Sequence, residues 1–415
     1  MADAVDVWVT GIGLVSSLGE GTEAHWSALS SAGVTVPRID VDRFPPYCVH
    51  PLADGLNVNR LIPSKADQKQ MGMWQRQGVH AAGLALEDAG VLGNEPLLDR
   101  TELVVAAGNG ERDEALDSRI LASLAERSAD EAGSALNATL MAGLRPTLYL
   151  GELSNLLAGN IQIVLKVTGS SRTLKGEEIA GLSAFEDAAR RIETGDATMV
   201  LVGGSLNAER HDILLGCELG GNLWQQPFVP VWQRAEAGGG FVLGSAAAFV
   251  VLEAAPHAEA RGAKPYARLA GIGANRARRE AKGDIQTSLA GVLESIGFAG
   301  SRAPFAMLSG ASGVEPATSE ELAFLRSIGS ERSATGLRAY GTALGHAVEA
   351  HFPLGVALAC LALHRSAFYP PFESSDIEQP IESVPDSILV TCVGHWRGEG
   401  LAIVERVSAA AEGAV

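Results

Sequence analysis

The stretch VPVWQRAEAGGGFVLGSAAAFVVLEAAPHAEARGAKPYARLAGIG, residues 229–273, decides the fold because it joins the end of one structural unit to the start of another. Its middle, GFVLGSAAAFVVLEAA at 240–255, is a long apolar run that predicts a hairpin of buried strands. Its end, YARLAGIGA at 266–274, is a short β-type run closed by Gly-Ile-Gly, a pattern also present in VWVTGIGLV at 7–15. We therefore predict that the second half of the chain repeats the plan of the first.

Further pairs of short segments support this repetition. The pairs are LVVAAGNG at 103–110 with FAMLSGASG at 305–313, MVLVGGSLN at 199–207 with ILVTCVGHW at 388–396, and the apolar run at 240–255 with GEGLAIVERV at 398–407. They divide the chain into an N-terminal half, residues 1–255, and a C-terminal half, residues 256–415, with an insertion at about 110–160. No linker of low complexity separates the halves, so we expect them to pack as one body.

Two helices are expected between the strands of the two halves. The first covers residues 178–194, because apolar side chains recur there at helical spacing and Gly195 follows as a stop signal. In the second half, residues 345–365 take the corresponding place. Both segments are rich in Ala and Gly, which suits helices buried between sheets. The predicted fold class is α/β, with two similar sheets packed face to face around shared buried helices.

The composition limits the kind of protein. The 415 residues are 47% hydrophobic, enough for a sizeable core, and the net charge of −17 argues against binding to nucleic acid or an anionic membrane. The four cysteines show no CxxC pair or metal-ligand spacing, and we expect buried thiols and no metal. The first residues lack a secretion signal, and the apolar stretch at 353–363 is too short to span a bilayer. We expect a cytoplasmic protein.

Several segments together resemble the β-ketoacyl-acyl-carrier-protein synthases, condensing enzymes of the thiolase superfamily. The most specific is residues 229–273; the others are VWVTGIGLVSSLGEGTEAHWSAL at 7–29, AARRIETGDATMVLVGG at 188–204 and LGHAVEAHFPLGVALACLAL at 344–363. They occur in the family's order along nearly the whole chain. The resemblance implies a thiolase-like αβαβα sandwich built from two similar halves, normally dimeric, with no cofactor.

The family's chemistry depends on side chains that this sequence has largely replaced. In the family, a Cys at the start of the first buried helix accepts the acyl group, and two His residues stabilise the enolate of a malonyl thioester. Counting back from the G-D-A turn at Gly195, the Cys position holds Glu178. The first His position holds Ser309, a nearby Lys position holds Gly341, and the second His is present as His346. Cys217 and Cys392 do not fall at the helix start.

The loop that carries a gating Phe and oxyanion donors in the family also differs here. It reads VGHWRGEG at 393–400, so the pocket or gating positions are Val393, His395 and Trp396. We expect His395 and Trp396 to plug a substrate tunnel rather than open one. For Glu178, a carboxylate is a poor nucleophile toward a thioester, which leaves a structural or pocket-filling role, or a site of decarboxylation.

The resemblance predicts a non-condensing subunit of the chain-length-factor type, which we expect to be inactive alone as an acyltransferase. Such a subunit pairs with an active ketosynthase, meets an acyl carrier protein, and shapes the tunnel for the growing chain in fatty-acid- or polyketide-type biosynthesis. Two alternatives are a malonyl-carrier-protein decarboxylase that supplies starter units, and a homodimeric scaffold or carrier-protein docking module without a tunnel.

Overall fold

The computed structural model describes residues 5–31, 37–125, 127–298, 304–332, 334–381 and 384–407. The strands are β1 Val7–Ser16, β2 Gly19–Glu20, β3 Val49–His50, β4 Glu102–Ala106, β5 Ser171–Leu174, β6 Met199–Leu206, β7 Leu243–Gly244, β8 Ala246–Ala254, β9 Ala267–Asn275, β10 Phe305–Ser309, β11 Ala334–Ala339, β12 Ser387–Val393 and β13 Glu399–Glu405.

The helices fill the connections between these strands. They are α1 Gly21–Leu29, α2 Lys65–Gln70, α3 Met73–Asp88, α4 Glu95–Leu98, α5 Glu114–Leu124, α6 Ala129–Gly143, α7 Leu148–Glu152, α8 Leu156–Leu165, α9 Glu178–Glu193, α10 His211–Leu219, α11 Ala255–Ala260, α12 Asp284–Ser295, α13 Ala317–Arg332, α14 Gly341–Leu344 and α15 His351–His364. Short 3-10 turns occur at Val58–Arg60, Val231–Ala237 and Val348–Ala350.

Two groups of five strands have the same order and the same directions. The first group runs β5-β4-β6-β8-β1 and the second runs β11-β10-β12-β13-β9. In each group the first three strands pair parallel with one another. The fourth strand pairs antiparallel with the third, and the fifth pairs antiparallel with the fourth. The groups meet where β1 pairs antiparallel with β9, with Val9 opposite Ala267. The fold is α/β and consists of two similar halves; a division near residue 255 remains our proposal.

The apolar clusters define five layers. Helices α9 and α15 lie in the central cluster together with residues of both groups of strands. Helices α3 and α8 cover the outer face of the first group, and α12 and α13 cover that of the second. The two central helices approach closely at Gly181, where a Cβ atom would lie 2.6 Å from the carbonyl oxygen of Glu349 and 2.8 Å from Pro353. This is the αβαβα arrangement that the resemblance implies.

Two local predictions are wrong. Residues 240–255 do not form a hairpin: the short β7 pairs with β3, and the long β8 lies between β1 and β6. An apolar run gives no sign of whether one strand or two are present, since both are fully buried. The second central helix begins at His351 rather than at residue 345, because Gly345 and Val348 have positive φ angles of 71° and 42° and interrupt helical geometry.

Candidate functional site

The site lies at the start of α9, where the chain turns sharply out of β5. Gly176 has φ 149°, and Glu177, the residue before the helix, has φ 54° and ψ −137°. A non-glycine residue in this region of backbone space stores about 1–3 kcal/mol of strain and is typical of functional turns. The turn places Glu178 at the first helical position, with a side chain only 2% exposed. The partial positive charge of the helix end favours a carboxylate there.

Two histidines from distant segments hold the carboxylate of Glu178. His346 Nε2 lies 3.2 Å from its Oε1 atom. His395 Nδ1 lies 2.9 Å from Oε1 and 3.1 Å from Oε2, and the backbone N–H of His395 donates to Oε1 at 3.3 Å. Since a carboxylate only accepts hydrogen bonds, both imidazoles present an N–H to it. The structure thus brings together three of the residues singled out in the sequence: Glu178, His346 and His395.

Hydrogen bonding keeps Glu178 ionised in spite of its burial. Desolvation on its own raises the pKa of a carboxyl group, but the hydrogen bonds from His346 and His395 outweigh it and hold the pKa of Glu178 well below its ordinary value. Burial lowers the pKa of His346, so its imidazole is neutral at pH 7. The cluster is therefore a buried carboxylate that accepts the N–H of a neutral His346.

His346 is fixed by its main chain and by two aromatic rings. Its N–H donates to the carbonyl oxygen of Val242 at 2.8 Å, and its carbonyl accepts from Gly244 at 3.0 Å. The ring of Phe241 stacks on the His346 imidazole with a centroid distance of 4.9 Å and an interplanar angle of 22°. His351 packs against the same imidazole at 4.1 Å. These contacts leave His346 little freedom to reorient toward another partner.

The loop between β12 and β13 carries His395 over Glu178. Gly394 and Gly398 close it with a main-chain hydrogen bond of 2.8 Å, and the Arg279 guanidinium donates to both of their carbonyl oxygens, at 2.7 and 3.1 Å. Arg397 pairs with Glu177 at 2.8 Å. The other two loop residues singled out in the sequence, Val393 and Trp396, do not hydrogen-bond to the Glu178 carboxylate. Val393 is buried at the end of β12, and Trp396 is 55% exposed beneath the Arg397 guanidinium.

Ser309 belongs to a separate polar cluster. Its hydroxyl donates to Oε1 of Glu321 at 2.6 Å, and Thr391 donates to the same atom. Burial raises the pKa of Glu321 to about 7, although both hydroxyls favour its charged form. Ser309 therefore serves Glu321, and its contacts in the described chain do not include Glu178 or His346.

Gly341, which the resemblance assigns to the family's Lys position, starts α14 and carries no charge. The nearest upstream cation, Arg338, is buried and donates to the carbonyl oxygens of Tyr369 and Gln379. It is thus committed to the main chain. Among the described residues, no Lys or Arg side chain contacts the Glu178 carboxylate, whose hydrogen-bond partners are His346 and His395.

The structure corrects the position of one cysteine. Cys392 Sγ lies 3.5 Å from the carbonyl oxygen of Glu178, beside the helix start from which the sequence separated it. Burial is the first cause that raises the pKa of this thiol well above its ordinary range, and Glu178 and other carboxylates add to it. Cys217 lies nearby, and burial raises the pKa of its thiol to about 12. Neither thiol is an available thiolate at neutral pH.

A cavity of about 530 Å³ adjoins the cluster. Its wall includes His395, Phe241, Cys217, Glu349, Lys175 and Arg397. Burial raises the pKa of Glu349 to about 7, and the charges of Glu178 and Glu177 act in the same direction. The cavity therefore reaches His395, which covers Glu178, and both polar and apolar side chains line it.

Phe241 and Arg279 in the site, and Glu321 in the separate polar cluster with Ser309, were not predicted from the sequence. Each acts through a partner more than 10 positions away in the chain: the rings of His346 and His395, the loop carbonyls, and the hydroxyls of Ser309 and Thr391. A buried Glu inside an amphipathic helix, such as Glu321 in α13, was the one available signal.

Within the described ranges, no group of three or more His, Cys, Asp or Glu residues is arranged to hold a metal ion. In the same part of the chain, no helix has the length and apolar character needed to cross a membrane.

Comparisons with known proteins bear on the family and the fold of this chain. The family model described as "Beta-ketoacyl synthase, N-terminal domain" matches residues 4–258. The 3-oxoacyl-[acyl-carrier-protein] synthase 2 of Vibrio cholerae is 30% identical over 278 residues, which cover 64% of this chain and 62% of that protein. This chain thus spans less than two thirds of the length of that relative.

Solved structures show the same fold over nearly the whole chain. The ishigamide ketosynthase/chain length factor superposes with a TM-score of 0.76 at 18% identity, covering 98% of this chain and 100% of that one. A chain from the complex of a type II PKS acyl-carrier protein with its ketosynthase superposes with a TM-score of 0.74 at 18% identity, covering 97% of this chain and 100% of that one. Identities this low establish the fold alone, whereas the family model covers more than half of the sequence. The chain belongs to the beta-ketoacyl synthase family.

Proposed function

We propose that this chain is a non-condensing ketosynthase-like subunit of the chain-length-factor type. It pairs with an active ketosynthase and shapes the space that holds the growing acyl or polyketide chain. The observation that supports this most directly is the Glu178 carboxylate, which stands at the family's thiol position and is hydrogen-bonded by both His346 and His395.

Condensation requires a nucleophile at the start of α9, and the residues there do not provide one. A carboxylate is a poor nucleophile toward a thioester, and the nearby thiol of Cys392 is held protonated by burial. Its S–H group also donates a hydrogen bond to the carbonyl oxygen of Glu178. The two imidazoles contact Glu178 and not this thiol, so neither activates it.

The same hydrogen bonds argue against decarboxylation. Stabilising the enolate of a malonyl thioester needs preorganised N–H donors directed at the thioester oxygen. In the described chain, His346 Nε2 and His395 Nδ1 are directed at Glu178 instead. Ser309, at the other His position, donates to Glu321. The side-chain donors that a malonyl thioester would need are therefore already hydrogen-bonded to Glu178 and Glu321.

A pairing surface lies close to the site. Strand β5 is at one end of the sheet and pairs only with β4 among the described strands. An edge strand offers unpaired backbone groups to another chain. Its last residue, Leu174, is four positions before Glu178, so a subunit that extends the sheet here touches the turn that carries Glu178 and Lys175. A chain without its own nucleophile can in this way still line the partner's chain-holding space.

Two measurements test the proposal. The purified chain is incubated with radiolabelled acyl carrier thioester, and we expect no covalent acylation of protein. The chain is then co-expressed with an active ketosynthase from the same organism, and we expect a stable heterodimer whose product length changes when His395 is replaced by Ala. A Glu294→Ala variant, on an exposed face of α12, is the matched control and leaves product length unchanged.

Other outcomes identify the alternatives. Acylation of the isolated chain contradicts a non-condensing role. Release of carbon dioxide from malonyl-carrier protein that disappears in a His346→Ala variant indicates a starter-unit decarboxylase. A homodimer that binds a carrier protein but does not bind the co-expressed ketosynthase indicates a scaffold or docking module.

A further inference from the structure

The cavity beside the Glu178 cluster contains a buried acid that has no partner from another described residue and interacts only with its own backbone N–H. Glu349 lies in its wall and is only 6% exposed, yet no other residue of the described chain hydrogen-bonds or ion-pairs with its carboxyl group. Buried carboxylates are otherwise paired, because an unpaired one loses its hydration without compensation. Burial is the first cause of its raised pKa; its own backbone N–H opposes the rise, and the charges of Glu178 and Glu177 add to it. The raised pKa is what a carboxyl group without a paired cation shows.

The backbone holds Glu349 in this position under strain. The preceding residue, Val348, has a φ of 42°, and a β-branched side chain is a clear outlier there. Opposite, Gly108 supplies the space: a Cβ atom at Gly108 would collide with the Glu349 carboxylate. Strained residues persist where surrounding structure imposes them, commonly at ligand sites. Val348 and the strained Glu177 both line this one cavity.

The cations in the cavity wall are engaged elsewhere. Arg210 forms a bidentate pair with Asp212 at 2.9 and 2.5 Å, and Arg397 pairs with Glu177 at 2.8 Å. The ammonium of Lys175 donates to Asn109 Oδ1 at 2.9 Å. Arg210 is close enough to oppose the rise in the pKa of Glu349, but it does not reverse it.

We propose that this cavity binds an aliphatic primary ammonium group, with the cation against Glu349 and the hydrocarbon stem against Phe241 and Trp74. The two aromatic side chains line the same cavity, and aromatic faces attract cations and cover apolar stems. The acyl chain held here would then be one that carries an amine. Only this last step rests on the proposed chain-holding function.

Calorimetric titration of the purified chain with hexylamine, hexanol and hexanoate tests the site. Hexylamine binds about tenfold tighter than hexanol, since the ammonium makes a charged hydrogen bond to Glu349 and the hydroxyl does not, and hexanoate binds more weakly than either. A Glu349→Gln variant loses the preference for the amine, and the exposed Glu294→Gln control keeps it. Equal binding of amine and alcohol, a preference that survives in Glu349→Gln, or no amine binding up to millimolar concentration overturns the inference.

A second arm separates this inference from the proposed function. Pantetheine amides of 6-aminohexanoate and hexanoate are compared on the same variants, and the amino form binds tighter in a Glu349-dependent way. If the chain binds hexylamine but forms no heterodimer, the result contradicts the proposed function and supports the amine site. A heterodimer with altered product length but no amine preference does the reverse.

Discussion

Replacing Glu178 by Gln tests whether the buried carboxylate stabilises the site. The side chain is 2% exposed and accepts three hydrogen bonds at Oε1, from His346 Nε2, His395 Nδ1 and the His395 N–H. Glutamine keeps an oxygen for these donors but loses the charge. Hydrogen bonds to charged groups contribute about 1.5–3 kcal/mol each, against about 0.5–1.5 for neutral pairs.

The size of the expected loss follows from two opposing effects. Three weakened hydrogen bonds sum to about 3 kcal/mol, and the lower desolvation cost of a neutral amide returns part of this. Because the pKa of Glu178 is lowered in spite of burial, the hydrogen bonds exceed the desolvation penalty. We expect the free energy of unfolding of Glu178→Gln to be about 2 kcal/mol below that of the wild type at pH 7.5.

The difference should also depend on pH in a defined direction. A carboxyl group whose folded pKa is depressed contributes stability that is present above its unfolded pKa, about 4.3, and is lost as the pH falls toward the folded value. Unfolded wild type takes up this proton near pH 4, and unfolded Glu178→Gln does not. The gap between the two proteins is therefore full at pH 5.5 and smaller at pH 4.

Urea denaturation at equal protein concentration measures this gap at each pH. The matched control is Glu186→Gln on the same helix, since Glu186 forms only a surface pair with Arg190 and contributes about 0.3–0.5 kcal/mol. A Glu178→Gln protein as stable as the wild type at pH 7.5, or a gap that stays constant down to pH 4, refutes the account of an ionised Glu178.

Three further changes probe the surroundings of the site. Gly181→Ala places a Cβ 2.8 Å from Pro353 and should lower the free energy of unfolding in urea by about 2 kcal/mol; an unchanged midpoint contradicts close helix packing. Arg279→Ala removes the 2.7 Å hydrogen bond to Gly394, so hydrogen exchange at 394–398 should quicken, and unaltered exchange counts against this anchor. The Cys217 thiol, with a pKa of about 12, should react with iodoacetamide at pH 8 about a hundredfold more slowly than in the urea-unfolded chain, as mass spectrometry can measure; ordinary reactivity in the folded protein refutes it.

The sequence carried most of the fold because its signals are local. Helix α9 was predicted over 178–194 and spans Glu178–Glu193, since apolar spacing and the stop at Gly195 are read within one segment. The repeated β-type runs likewise correspond to strands in the same positions of the two halves. The start of α15 was placed too early because the positive φ of Val348, a β-branched residue, is imposed by its surroundings and leaves no mark in the local pattern.

The residues of the site could be predicted only in part from the sequence. The family resemblance singled out Glu178, Ser309 and His346, but the structure joins Glu178 to His346 and gives Ser309 to Glu321. The closeness of Cys392 to the helix start was missed, because β12 reaches α9 only when the second sheet packs on the central helices. Residues that hydrogen-bond across layers of the fold have no characteristic separation along the sequence, so no local pattern predicts them.

What the sequence determined by itself was the α/β plan, its duplication, and an acid, Glu178, at the start of a buried helix. What only the tertiary structure decided was the state of that acid. Its donors come from positions 168 and 217 residues away, brought within hydrogen-bonding distance by sheets stacked on both sides of α9. Burial and those donors act on the pKa in opposite directions, and which one prevails depends on distances that no one-dimensional pattern contains.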